Sequence, residues 1–160
     1  SGKVSGESTV GGLVGCCMGS IMQCRVPGKV SGSNRVGGLV GANTQGDIAE
    51  CYASGKVSGT RETYEIGGLV GADYKGNFSK CYWDTQTTGQ QTSPGGTGKM
   101  STEMKSVSTF AGWDFENVWQ IEEGCGYPIL RRFARSKNFS ETAIVSPEIP
   151  VGERKWSLLG

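Results

Sequence analysis

The stretch that decides the fold is Val36-Gly37-Gly38-Leu39-Val40-Gly41, joined ten residues on by Cys51-Tyr52-Ala53-Ser54-Gly55-Lys56-Val57-Ser58-Gly59. Both phrases return. Gly-Gly-Leu-Val-Gly occupies 11–15, 37–41 and 67–71, and Gly-Lys-Val-Ser-Gly occupies 2–6, 28–32 and 55–59. Three further columns keep the same order: Gly19, Gly46 and Gly76; Ile21, Ile48 and Phe78; Cys24, Cys51 and Cys81. A step of 26 to 30 residues that preserves five columns marks an array of one supersecondary unit. The added length of the third unit falls at residues 60–65, where a loop absorbs it.

Helix is excluded as the unit, because each copy carries several glycines and each costs about 1 kcal/mol inside a helix. Short apolar runs between Gly, Asn, Asp and Ser read instead as strands. Alternation through the central copy turns Cys51, Ala53 and Val57 inward and Tyr52 and Ser54 outward. Ile48 is out of phase with that set, which predicts a bend beside Ala49 and Glu50. Three short strands per unit then make one coil, and the coils stack at about 4.8 Å, the spacing of paired strands. The expected fold is all-β: a parallel β-solenoid of three coils, over about 2–27, 28–54 and 55–84 within residues 1–96. A sandwich of folded hairpins is the rival architecture.

Composition narrows the function classes. Glycine supplies 27 of 160 residues and only 36% of the chain is apolar. Sixteen basic and 15 acidic residues leave a net charge of +1, which steers toward neither nucleic acid nor an acidic membrane. Apolar runs are a few residues long, too short for membrane insertion. There is no histidine, so histidine-based triads, metal sites and proton shuttles are excluded. Six cysteines in a Gly/Ser/Thr-rich chain fit an oxidising, extracellular setting.

The pattern Val-Gly-Gly-Leu-Val-Gly followed by Cys-Tyr-Ala-x-Gly-x-Val-x-Gly, best seen over residues 36–59, resembles the GLUG motif. Cys81-Tyr82-Trp83-Asp84, Gly95-Gly96-Thr97-Gly98, Gly112-Trp113-Asp114-Phe115 and Gly126-Tyr127-Pro128 resemble the way arrays of that family end. The resemblance implies a repeat of large bacterial and archaeal surface proteins, adhesin-like proteins and some immunoglobulin A peptidases. In those peptidases a separate domain carries the catalytic His-Glu-x-x-His helix; this chain has no counterpart, and the repeat itself supplies no catalytic residues. The first copy departs from the pattern, with Cys16-Cys17-Met18 where the others have Ala42-Asn43-Thr44 and Ala72-Asp73-Tyr74, which puts a standard turn there in doubt.

Past Asp84 the pattern changes to a polar loop over 85–98 and then to a C-terminal cap over 97–133. Ser101 suits a helix N-cap, Met104, Val107, Phe110 and Ala111 share a helical face, and Gly112 stops the helix. That helix is expected to cover the last coil, with strands over 113–121 and 127–130 beside it. The first coil has no such cover, so either further coils of a parent chain or an identical subunit are expected against it. Residues 134–160, with Arg135, Lys137, Pro147 and Pro150, read as a linker or an extended arm.

Four aromatics, Tyr52, Tyr74, Tyr82 and Trp83, are candidates for an outward surface that stacks on surface glycans. Cys16, Cys17 and Cys125 lie off the cysteine ladder and are candidates for one disulfide, whereas Cys24, Cys51 and Cys81 read as buried thiols. Asp47, Asp73, Asp84 and Asp114 sit beside turns and read as turn-forming residues. No catalytic residue, cofactor site or metal site is nominated. The reading is a non-enzymatic structural or adhesive module of an extracellular or cell-surface protein. A self-assembling filament subunit and a carbohydrate-binding or carbohydrate-active solenoid are the alternatives.

Overall fold

The computed structural model describes residues 2–60 and 65–131. The expectations for the 134–160 arm lie outside the described residues. The first coil runs through β1 (Lys3–Ser5), β2 (Ser8–Gly11), β3 (Val14–Cys17), β4 (Ser20–Met22) and β5 (Arg25–Val26). The second repeats it as β6 (Lys29–Gly32), β7 (Asn34–Gly37), β8 (Val40–Thr44), β9 (Asp47–Ala49) and β10 (Tyr52–Ala53). The third is β11 (Val57–Gly59), β12 (Ile66–Gly67), β13 (Val70–Tyr74), β14 (Asn77–Ser79) and β15 (Tyr82–Asp84). Equivalent strands pair in parallel, giving the sheets β1-β6-β11, β12-β7-β2, β13-β8-β3 and β14-β9-β4, while β5, β10 and β15 form the fifth ladder. The fold is the expected all-β parallel solenoid, with the columns in register: Val4 lies on Val30, Val14 on Val40, and Ile21 on Ile48.

Each coil has five strands where the sequence predicts three. The path is broken more often because single residues turn corners in the left-handed region. Gln23, Glu50 and Lys80 take φ of 54°, 51° and 52°, which places the predicted bend at Glu50 in every coil. The Gly-Gly pair makes another corner by close approach. A Cβ on Gly37 would overlap the Val40 carbonyl oxygen, and one on Gly38 would overlap the Gly68 carbonyl oxygen in the next coil. Only glycine permits that approach.

The lumen is filled by Leu39, Leu69, Val40, Val70, Ile48, Cys51, Ala53, Cys81 and Trp83, and a second cluster by Val10, Val30, Val36 and Val57. The inward phase of Cys51, Ala53 and Val57 is therefore borne out. The ladder thiols also hold the corner. Cys24, Cys51 and Cys81 donate to the carbonyls of Met22, Ala49 and Ser79 at 3.2, 3.0 and 3.3 Å, each spanning a left-handed residue. Cysteine suits the position because it is apolar enough for the lumen and still carries a weak donor.

The last coil ends differently from the expected helix-on-end arrangement. Asp84 caps a single helical turn, α1 (Thr85–Thr88), which stops at Gly89 with φ 71°. The chain then crosses the end of the lumen and returns as β16 (Thr97–Lys99), a fourth strand on β15. This stretch, read from sequence only as a polar loop, is what closes the coil.

Residues 100–131 lie on the outer side of the β5-β10-β15-β16 sheet rather than over the end, because Tyr52 and Tyr82 project there and offer the apolar surface. Met104, Phe110, Trp113 and Trp119 bury against Tyr52, with Tyr82 packed at their edge. The predicted helix is two 3₁₀ turns, Glu103–Lys105 and Val107–Phe110. Ser106 between them is extended (φ −109°, ψ 134°), held by Glu123, which accepts from Ser106 Oγ at 2.6 Å and Val107 N at 2.7 Å. Because extended Ser106 breaks the path between the two turns, they share no common face: Met104 and Phe110 are buried, while Val107 and Ala111 are exposed. Ser101 is no N-cap; its hydroxyl donates to Asp84 Oδ2 at 2.7 Å. Among the described residues after 100, strand structure is confined to β17 (Trp119–Gln120) and β18 (Ile129–Leu130), which pair antiparallel.

Candidate functional site

The four candidate aromatics do not form a common surface. Trp83 points into the lumen, 5% exposed, and its Nε1 donates to Gln90 O at 3.1 Å. Its phase follows Ala53, its partner in β10, so the ladder turns it inward. Tyr52 does point outward from the coil, as its phase predicts, but the cap covers it completely and its hydroxyl donates to Pro128 O at 2.7 Å. Burial pushes the Tyr52 hydroxyl above its ordinary range. Tyr82 meets Phe110 edge-on at 5.3 Å between centroids. Tyr74 alone of the four is exposed, with the Arg35 guanidinium 5.9 Å from its ring centre. Sequence periodicity showed that Tyr52 leaves the lumen; it could not show that residues 60 positions later would cover it.

All six cysteines are free thiols, so the candidate bridge among Cys16, Cys17 and Cys125 is not formed. Cys17 is buried and donates to Gly19 O at 3.3 Å, Cys16 lies 3.8 Å from Thr44 Oγ1, and Cys125 is exposed in the turn after Glu122. The doubt about the first turn is borne out. Cys17 stands in the column of Asn43, whose amide bonds both the N and O of Gly46 at 3.1 Å; the first coil reaches Gly19 without the left-handed residue that Gln45 supplies in the second.

The carboxylates are structural. Asp73 accepts from Gly76 N at 3.2 Å, Asp47 from Asn77 Nδ2 at 2.8 Å, and Asp114 from the amides of Glu116 and Asn117 at 3.0 and 2.8 Å. Asp84 is buried and carries four hydrogen bonds: from the amides of Gln86 and Thr87 at 2.8 and 3.0 Å, and from the hydroxyls of Ser101 and Tyr127 at 2.7 and 2.6 Å. Burial works to raise its pKa, but the Tyr127 hydroxyl, the Thr87 amide and the remaining donors outweigh it and hold the carboxyl below its ordinary value. One side chain thus joins α1, the start of the cap and the segment that leads into β18. No group of three or more metal-ligating side chains converges among the described residues.

The two ends of the stack differ in chemistry. Between coils, Leu39 N and Val40 N both donate to Leu69 O, at 2.8 and 3.1 Å. On the last coil the equivalent amides, Leu69 N and Val70 N, donate to Ser93 Oγ at 3.3 and 2.9 Å, and that hydroxyl donates on to Val70 O at 3.1 Å. Ser93 stands where a fourth coil would place a carbonyl. Gln90 Nε2 donates to Val57 O at 3.0 Å and Gly68 N to Thr92 O at 3.0 Å, completing the closure. Sequence reasoning missed these residues, and their signal is faint: polar side chains in a loop following an array. The opposite end is bare. Leu13 is 48% exposed where its equivalents Leu39 and Leu69 are fully buried, and Val4 is exposed where its equivalents Val30 and Val57 are buried.

Residues 32–58 match the family described as the GLUG motif. No curated protein and no solved structure matches the chain. The matched segment spans one coil from the end of β6 into β11, and the parallel stacking of its copies makes the chain a β-helix-like repeat module carrying a GLUG motif.

Proposed function

We propose that the chain is a non-enzymatic structural module of an extracellular or cell-surface protein, a solenoid piece that accepts further coils against its first coil and ends the stack at its last. The observation that carries this reading is the contrast between Leu13, half exposed, and Leu39 and Leu69, each fully buried. The same face is covered twice within the molecule, both times by a coil of this repeat, so its complement is already defined. A coil placed there forgoes one bond: Pro27 lacks the N–H that Ser54, next after its Tyr52 and Ala53 partners, donates to Val26 O at 3.0 Å. Head-to-tail filament growth is less favoured, because the Ser93 closure occupies the last coil's edge. Glycan stacking on aromatics is less favoured because three of the four rings are covered.

The test is to place a copy of residues 28–54 directly before Gly2, which continues the register of Ser54 into Gly55. The extended chain should melt higher than the parent and bind less of a hydrophobic dye as Leu13 is covered. An extended chain that melts at or below the parent temperature would overturn the reading.

A further inference from the structure

The sheet β1-β6-β11 carries two polar ladders on its outer side. Lys3 pairs with Lys29 and Ser5 with Ser31. Ser31 pairs in turn with Ser58, and Lys56 immediately precedes Val57, the partner of Val30. Val30 and Val57 are buried, so the alternation of the strand turns the lysines and serines to the opposite side. Lys3, Lys29 and Lys56 are exposed, and none forms an ion pair among the described residues. The three strands contain no acidic residue.

Like charges on neighbouring strands repel. Two cations elsewhere are relieved by a carboxylate: Arg35 is paired with Glu65 at 2.8 Å, and Lys99 with Glu103 at 3.1 Å. Lysine on a sheet is ordinarily explained as protection of an edge strand. That explanation fails for Lys29, because β6 is the central strand and is paired on both sides. Three cations in register, with no ion-pair partner among the described residues and a hydroxyl ladder beside them, form a surface complementary to a repeating anion.

We propose that this face binds a linear anionic polysaccharide, with carboxylates along the lysine ladder and sugar hydroxyls along the serine ladder. A uronate chain carries one carboxylate per ring, a repeat comparable with the roughly 4.8 Å between strands. Serine hydroxyls both donate and accept, as sugar hydroxyls do. The proposal concerns the outer side of the β1-β6-β11 sheet rather than the open end at Leu13, and holds whether or not coils are added there.

The experiment is affinity electrophoresis of the 160-residue chain through gels containing polygalacturonate, dextran or a single-stranded polynucleotide. Two variants each remove two positive charges: K29Q/K56Q from the ladder and K75Q/K105Q from elsewhere. Polygalacturonate should retard the parent, and K29Q/K56Q should weaken that retention about fivefold, the product of two exposed ion pairs. K75Q/K105Q should leave it within about twofold, and neither variant should melt below the parent, since removing stacked like charges relieves repulsion. Equal weakening by the two variants, no retardation by polygalacturonate, or equal retardation by dextran overturns the proposal. Tighter retention by the polynucleotide overturns the polysaccharide assignment.

Discussion

Replacing Ser93 with Ala tests whether one side chain substitutes for the missing fourth coil. The hydroxyl accepts from Leu69 N and Val70 N and donates to Val70 O, so alanine leaves two amides and a carbonyl without that partner. A net neutral hydrogen bond is worth about 1 kcal/mol, and a partly buried orphaned donor costs somewhat more. Water reaches this half-buried site and recovers part of the loss. The expected destabilisation is about 2 kcal/mol, which lowers the melting temperature by about 4–8 °C for a domain of this size. Thr92→Ala is the control, since Thr92 contributes its backbone carbonyl to Gly68 N and should leave the melting temperature nearly unchanged. Calorimetry gives the shift, and amide hydrogen exchange should show loss of protection at Leu69 and Val70 before other lumen residues. Equal melting temperatures for the two variants, with Leu69 and Val70 still protected, would refute the claim that Ser93 replaces a coil.

Leu39→Ala should cost about 2–5 kcal/mol by opening a cavity in the lumen, whereas Leu13→Ala at the bare end should cost well under half as much; denaturant titration of both variants checks the contrast. Acid should loosen the cap. The Asp84 carboxyl is lowered in the fold, so its contribution is complete above the unfolded value of about 3.9 and is lost as pH falls through the lowered value. Tryptophan fluorescence against pH should follow that loss, and Asp84→Asn should flatten the acid limb. Thiol reagents should modify Cys16 and Cys125 quickly in the native protein and reach Cys17, Cys51 and Cys81 only on unfolding, which mass spectrometry of time points resolves.

The solenoid was legible because its signals are local and repeated. Gly37 and Gly38 report a close backbone approach, Cys51, Ala53 and Val57 report phase, and the out-of-phase Ile48 reports the corner at Glu50. Each copy confirms the others, since stacking in register demands the same residue types at the same positions. The number of strands per coil was not legible, because left-handed corners at residues such as Thr9, Arg35, Gln45 and Lys75 are not themselves glycines and break no phase that the sequence shows.

What the sequence determined by itself was therefore the repeat, its register and the inward phase of the lumen. The tertiary structure alone decided what covers the outside and the end of the stack. Tyr52 became core because Phe110, Trp113 and Trp119 pack on it, and the polar loop became the stopper because Ser93 reaches the Leu69 and Val70 amides. Those contacts join residues that occur once and lie 23 to 76 positions apart, so no periodicity announces them. They form because exposed aromatic surface and unpaired backbone groups are both costly to leave in the folded chain.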